Sequence, residues 1–287
     1  MRISHNITAL NTYRQYNTNT VSTNKSMEKL SSGSRINRAA DDAAGLSISE
    51  KMRSQIRGLT QATRNAQDGT SFIQTAEGAL SEVSDMLTRM KELAVQVQNG
   101  TYSEEDQTNI GSEMKALGTA ISDIYVNTKF NGTTVFGTQT ASGGALSAAT
   151  GGSGTTAASF VYGENGDQTV TVTQATTVDL HTLTTATANA TTGTLAKAVT
   201  TKMVEDAISE VDTTRAGYGA LQNQLEHAAN NMATTKENLQ AAESRVRDVD
   251  MADEMMNYTK NNILLQASQA MLAQANSQPQ GVLQLLQ

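Results

Sequence analysis

The side chains best suited to hold a metal or move a proton near neutral pH are three histidines, His5, His181 and His227. They are scattered, no HxxxH pair exists and there is no cysteine, so no zinc-ligand spacing is present. Asp248, Asp250, Asp253 and Glu254 lie close enough in sequence to raise calcium. An EF-hand loop needs a central glycine for its turn and a fixed glutamate at its end. Met251 and Ala252 stand there instead, inside a helical pattern. Alternation of these acids with Arg245 and Arg247 reads as ion pairing between helices or subunits. Gly217-Tyr218-Gly219 is no dinucleotide loop, because no strand precedes it. With no GxSxG and no thiol nucleophile, the expectation is no enzyme, no cofactor and no metal.

The informative residues are apolar and helically spaced. Ile3, Ile7, Leu10, Tyr13, Tyr16, Met27 and Leu30 form one low-charge stripe, and Met251, Met255, Tyr258, Ile263, Leu265, Met271 and Leu272 form another. Such a stripe buries only against another helix. Neither has a partner beside it in sequence, so the two ends of the chain are expected to pair. A second apolar face on either end must then bury on other copies, which points to a polymer.

Composition agrees. The 287 residues contain one proline, no tryptophan and four phenylalanines, which suits long, thin helices filled by Ala, Met, Leu and Ile. A net charge of −7 without a basic block argues against nucleic acid. No apolar run is long enough to span a bilayer, and the first residues lack the apolar region of a cleaved secretory signal. A chain without cysteine suits passage between redox compartments.

Along the chain, Ser4 or Asn6 caps a helix reaching about Ser32, and Ser31-Ser32-Gly33 breaks it. From about Asp42 a rod runs through Met52, Ile56, Leu59, Thr63, Ala66, Thr70 and Ile73, then Ala76, Leu80, Val83, Leu87, Met90, Ala94 and Val97. As one helix this spans roughly 80 Å. Asn99-Gly100 is expected to end it with a left-handed glycine. Ser103 with Asp106 starts an antiparallel helix with seam Ile110, Met114, Leu117, Ile121, Ile124 and Thr128. Asn131-Gly132 reads as a hairpin turn.

Residues 138–195 are Thr/Ala/Gly/Ser-rich and read as an exposed insert, with one hairpin around Asn165-Gly166. From near Leu195 a returning helix runs through Val204, Val211, Tyr218, Leu225 and Met232 and is expected to continue straight into the C-terminal stripe. Gln-Pro-Gln-Gly at 278–281 is expected to interrupt that stripe. The fold class is mainly α: long antiparallel rods in a coiled-coil-like bundle, terminal helices pairing as an inner domain, and small β-hairpins near the middle.

Two blocks resemble bacterial flagellin. LSSGSRINRAADDAAGLSISEKMRSQIRGL, Leu30 to Leu59, is similar to the family's N-terminal signature. ESRVRDVDMADEMMNYTKNNILLQASQAMLAQANSQPQGVLQLLQ, residues 243–287, is similar to its C-terminal one. The resemblance covers about 1–137 and 195–287. It implies an inner tube-forming helix at 1–42, a rod domain with hairpin at 43–137, a short variable insert at 138–195, a returning rod helix at 196–244 and an inner terminal helix at 245–287. It also implies a helical homopolymer, an extracellular flagellar location reached without a cleaved signal, and no membrane or nucleic-acid partner. The implied partners are an export chaperone on the C-terminal helix and the filament cap and hook-junction proteins. Ile3, Ile7, Leu10, Met255, Tyr258, Leu265, Leu272, Leu283 and Leu286 are the expected polymerisation residues. The alternative in the same apparatus is a hook–filament junction protein; a receptor-binding or adhesive insert is a reading of another class.

Leu87 to Gln96, LTRMKELAVQ, resembles the flagellin segment read by the innate immune receptor TLR5. The matching positions are Arg89, Leu93 and, on the next helix, Glu113. Spacing puts Arg89 and Leu93 on one helix face. They are expected to serve subunit packing first, with receptor binding as a reading of the same surface.

Overall fold

The computed structural model describes residues 6–136, 140–142, 145–147, 156–163, 167–173, 178–189 and 197–285. In chain order the elements are α1 (Ile7–Ser32), α2 (Ala43–Gln98), α3 (Glu104–Asn127), β1 (Lys129–Phe130), β2 (Thr133–Thr134), β3 (Thr140–Ser142), β4 (Ala145–Ser147), β5 (Thr156–Val161), β6 (Thr169–Thr173), α4 (Val178–Ala188), α5 (Thr201–Arg247) and α6 (Met251–Leu285). The fold is mainly α, and the strands pair as antiparallel hairpins β1–β2, β3–β4 and β5–β6. Two compact units form: Met1–Ile56 with Glu237–Gln287, and Arg57–Lys236.

In the first unit α1 and α6 pair antiparallel, tied at Asn6–Ala275, Asn19–Ser268 and Lys29–Glu254. Asn6 caps α1 by accepting from the Ala9 N–H, while Ser4 lies outside the described residues. Gly33, at φ 68°, ends α1 in the left-handed region and donates to Lys29 O, as a side-chain-free residue can without strain.

The link from α1 to α2 is pinned to the break between α5 and α6. Arg35 N donates to Arg247 O at 2.6 Å, Val249 N to Gly33 O at 3.1 Å, and Ser34 bridges Asp248. That break corrects the expectation of one continuous C-terminal helix: Asp248–Asp250 leave the helix to form the bridge, and Asp250 Oδ1 accepts from Ala252 N to restart it. Gln278–Gly281 do not interrupt α6, which runs on through them to Leu285. Within the link, the Lys25 ammonium and the Arg38 N–H hold the Asp41 carboxyl down at about 2.

The second unit is built on the predicted seam. Ala66, Ile73, Ala76, Leu80, Val83, Leu87, Met90, Ala94 and Val97 of α2 are buried, as are Val204, Val211, Tyr218, Leu225 and Met232 of α5. A capping box joins Ser103 and Asp106 and starts α3. Asn131 at φ 49° and Gly132 at φ 81° make the β1–β2 turn. Gly100 is not in the left-handed region; α2 ends instead with the Asn99 N–H on Gln96 O at 3.1 Å.

The insert is not simply exposed. Its Leu180, Leu183, Thr184 and Thr187 on α4 are buried, as are Val170 and Val172 on β6. α4 packs on α3 so closely that a Cβ at Gly118 would lie 2.3 Å from Thr187 Oγ1. Hence α3 buries a second face through Gly111, Gly118, Ser122 and Tyr125, while Leu117 and Ile124 of the expected seam are only half-buried. Phe160 of β5 reaches Phe72 at 5.4 Å, and Asn65 donates to Val161 O at 3.0 Å, so that hairpin docks on α2. The Asn165-Gly166 turn lies outside the described residues. The helix after the insert begins at Thr201.

Candidate self-assembly surface

The contact between α1 and α6 mixes short polar residues with a few tyrosines and leucines. Its inward positions on α1 follow a 3,4 spacing: Ala9, Thr12, Tyr16, Asn19, Thr23, Ser26 and Leu30. Those on α6 are Tyr258, Asn261, Leu265, Ser268, Leu272 and Ala275. Asn19, 7% exposed, donates to Ser268 Oγ at 2.8 Å and to Leu264 O at 3.4 Å. Gln269 donates to the Tyr16 hydroxyl at 3.4 Å.

The large apolar side chains face the other way. Ile7, Leu10, Tyr13, Val21 and Met27 of α1 are exposed, and so are Met251, Met255, Met256, Ile263, Leu264 and Met271 of α6. A pair of helices wet on its apolar sides and polar at its seam is the inverse of a self-sufficient hairpin. Covering the exposed half of these side chains contributes on the order of 1 kcal/mol each, roughly 10 kcal/mol together. From Asn261 to the end of the sequence there is no charged residue, so covering Ile263, Leu264 and Met271 on α6 desolvates no neighbouring ion of that helix, whereas Arg14, Lys25 and Glu28 of α1 and Asp253 and Lys260 of α6 lie among the other exposed apolar residues.

Of the expected polymerisation residues, Ile7, Leu10 and Met255 point outward, while Tyr258, Leu265 and Leu272 are half-buried at the seam. Ile3 and Leu286 lie outside the described residues, as does the side chain of Leu283. Sequence spacing had not separated the inward from the outward residues of each stripe. The signal was there in the heptad-spaced polar set Thr12, Asn19 and Ser26, which apolar pattern matching passes over.

Among the described residues no cluster of His, Asp or Glu is placed to hold a metal ion, and no helix is long and apolar enough to cross a membrane. Asp248 and Asp250 serve as local hydrogen-bond acceptors, for Ser244 Oγ at 2.6 Å and the Ala252 N–H. Arg247 pairs with Glu50 at 3.5 Å and Glu243 at 3.9 Å.

Residues 3–141 match the family described as the bacterial flagellin N-terminal helical region, and residues 201–286 match its C-terminal helical region. The chain belongs to the bacterial flagellin family. It is 49% identical to a flagellin of Halalkalibacterium halodurans over 288 residues, covering all of both chains. It is also 49% identical to a flagellin of Bacillus subtilis over 303 residues, again end to end. A flagellar filament 33 kDa core protein of Treponema phagedenis is 44% identical over 306 residues, with full coverage of both.

On this flagellin-family rod the three residues expected to form one receptor-facing surface do not share it. Arg89 and Glu113 are exposed and hydrogen-bonded to each other at 3.0 and 3.1 Å, with Glu92 closing on Arg89 at 2.9 Å. Leu93 is 1% exposed and belongs to the core. The four-residue spacing misled because two positions on one broad face can straddle the edge of a seam: Arg89 sits outside it and Leu93 within.

Proposed function

We propose that this chain is the structural subunit of a bacterial flagellar filament, acting outside the cell and doing no chemistry of its own. The observation that carries the reading is the inverted pairing of α1 and α6. The seam satisfies polar groups within one copy, and eleven large apolar side chains remain for further copies. A contact between two different faces that does not close on itself generates a helical polymer. Ile7, Leu10 and Met255 act in this reading as contacts between copies, while Tyr258, Leu265 and Leu272 work at the margin of the seam. The same uncovered C-terminal helix needs a chaperone before assembly, and the ends of the polymer need cap and hook-junction proteins.

Deleting residues 265–287 tests the reading. The expected outcome is loss of polymerisation in sedimentation, with the far-ultraviolet helix signal of the second unit retained. Long filaments from the truncated chain would overturn it. Seeded growth of the full chain, viewed by negative stain, separates a filament subunit from a hook–filament junction protein, which stops at short rings.

A further inference from the structure

We propose that Asn99 is a site of spontaneous deamidation, set apart from the same dipeptide at Asn131 by the fold. The chemistry is intramolecular. The backbone nitrogen of Gly100, having lost its proton, attacks Asn99 Cγ. The N–Cγ bond forms, the Cγ–Nδ2 bond breaks, and ammonia leaves a five-membered succinimide. One water then opens the ring at either carbonyl and leaves an aspartyl or isoaspartyl residue. One water enters and one ammonia departs, with no change of oxidation state.

Three features of the turn between α2 and α3 favour the attack. Asn99 and Gly100 are exposed and lie beyond the last helical residue, Gln98. A Cβ at Gly100 would meet nothing within 4 Å, so no neighbouring group blocks the peptide. The Thr101 N–H donates to Asn99 Oδ1 at 3.3 Å, which polarises the side-chain carbonyl. Among the described residues no backbone acceptor holds the Gly100 N–H.

Asn131-Gly132 has the same side chains, is likewise exposed and likewise leaves a Cβ at the glycine clear, and differs in its backbone. Asn131 is left-handed at φ 49°, its flanking residues Phe130 and Thr133 are paired across the hairpin, and Val135 N holds Thr128 O at 3.1 Å. Rotation of Asn131 toward its own following nitrogen would break that pairing.

A new carboxylate at 99 sits at the negative end of the α2 dipole and beside Glu104, Glu105 and Asp106 of the first turn of α3. The isoaspartyl form also adds a backbone carbon to a link of only five residues, 99–103. Both effects loosen the α2–α3 corner.

The test is timed incubation of the full-length protein at mildly alkaline pH, followed by peptide mapping with isoaspartyl detection. The residue-99 peptide is expected to convert several-fold faster than the residue-131 peptide, and the two are expected to react alike in urea. Equal rates in the folded protein, or faster loss at 131, would overturn the proposal. An Asn99→Ser chain should lose that isoaspartyl signal and nothing else; survival of the signal would also overturn it.

Discussion

Replacing Asn19 by leucine separates how strongly α1 and α6 associate from how accurately they align. Asn19 is buried in a seam otherwise made of alanine, serine, threonine and a few larger residues, which packs nearly as well after a slip of seven residues. In the native register its amide meets Ser268 Oγ at 2.8 Å. A slip that sets Ala275 opposite leaves the amide without that partner, and an unsatisfied buried amide costs about 1–3 kcal/mol. At about 2 kcal/mol the slipped register is disfavoured roughly thirtyfold. The opposite slip offers Asn261 to Asn19, and either slip takes Lys29 away from Glu254 and strains the Arg35–Arg247 and Gly33–Val249 bonds, so the amide acts alongside these pins in setting the register. Leucine removes the penalty. Ser268 keeps its own bond to Leu264 O at 2.7 Å, so stability changes by no more than about 1 kcal/mol. Specificity therefore falls while stability holds.

The absence of cysteine makes the alignment directly readable. Tyr16→Cys with Gln269→Cys reports the native register; Tyr16→Cys with Asn276→Cys reports the slip. In assembled protein with Asn19 intact, oxidation should link only the first pair within one chain. With Asn19→Leu the second pair should gain yield relative to the intact chain, and Asn19→Ser combined with Ser268→Asn should restore the native pair. A single register persisting in Asn19→Leu would refute the assignment of alignment to this amide.

Leu93→Ala should destabilise the second unit by about 2–5 kcal/mol in urea melts, whereas Arg89→Ala should cost under about 1 kcal/mol, because one is core and the other an exposed ion pair. Arg89→Ala is therefore the substitution that would test the expected receptor contact by titration without unfolding the chain. Gly118→Val should cost about 1–3 kcal/mol by forcing α3 off Thr187, and the same change should be tolerated once residues 140–190 are replaced by a short linker; urea melts of both chains check this. Asp41 is held at about 2 against an ordinary 3.8, so its contribution is complete above the unfolded value and is lost as pH falls from about 4 towards 2. Asp41→Asn should flatten that limb of the acid-unfolding curve, read by circular dichroism.

The rods were legible because their burial is periodic. From Leu59 to Val97 the heptad spacing identifies most buried residues of α2, though Thr63 and Thr70 are only half-buried and Ala62, Phe72 and Leu93 beside the seam are buried with it; the Ser103–Asp106 cap is a local signal that tertiary contacts leave alone. The docked insert was not legible. Its few apolar anchors, Phe160, Val170, Val172, Leu180 and Leu183, are sparse in a Thr/Ala/Gly/Ser-rich stretch, and they fit where a side chain is absent on the partner, at Gly69 under Phe160 and at Gly118 against Thr187. The break at Asp248–Asp250 was hidden for a related reason: it is held by backbone bonds to residues 33–35, more than two hundred positions away. Within the assembly surface, the stripes were visible but their inward and outward faces were not, because the inward one is polar.

The uncharged stretch from Asn261 onward has a consequence for how copies meet in solution. Each chain carries a net charge of −7, so two approaching monomers repel at long range. The part of the docking face from Asn261 onward contributes nothing to that repulsion and holds no ion to screen, while the α1 part carries both signs in Arg14, Lys25 and Glu28. Ionic strength should therefore act on encounter rather than on adhesion, speeding nucleation while leaving dissociation almost unchanged. Salts that strengthen apolar burial should slow dissociation as well, so two salts at equal ionic strength separate the two effects.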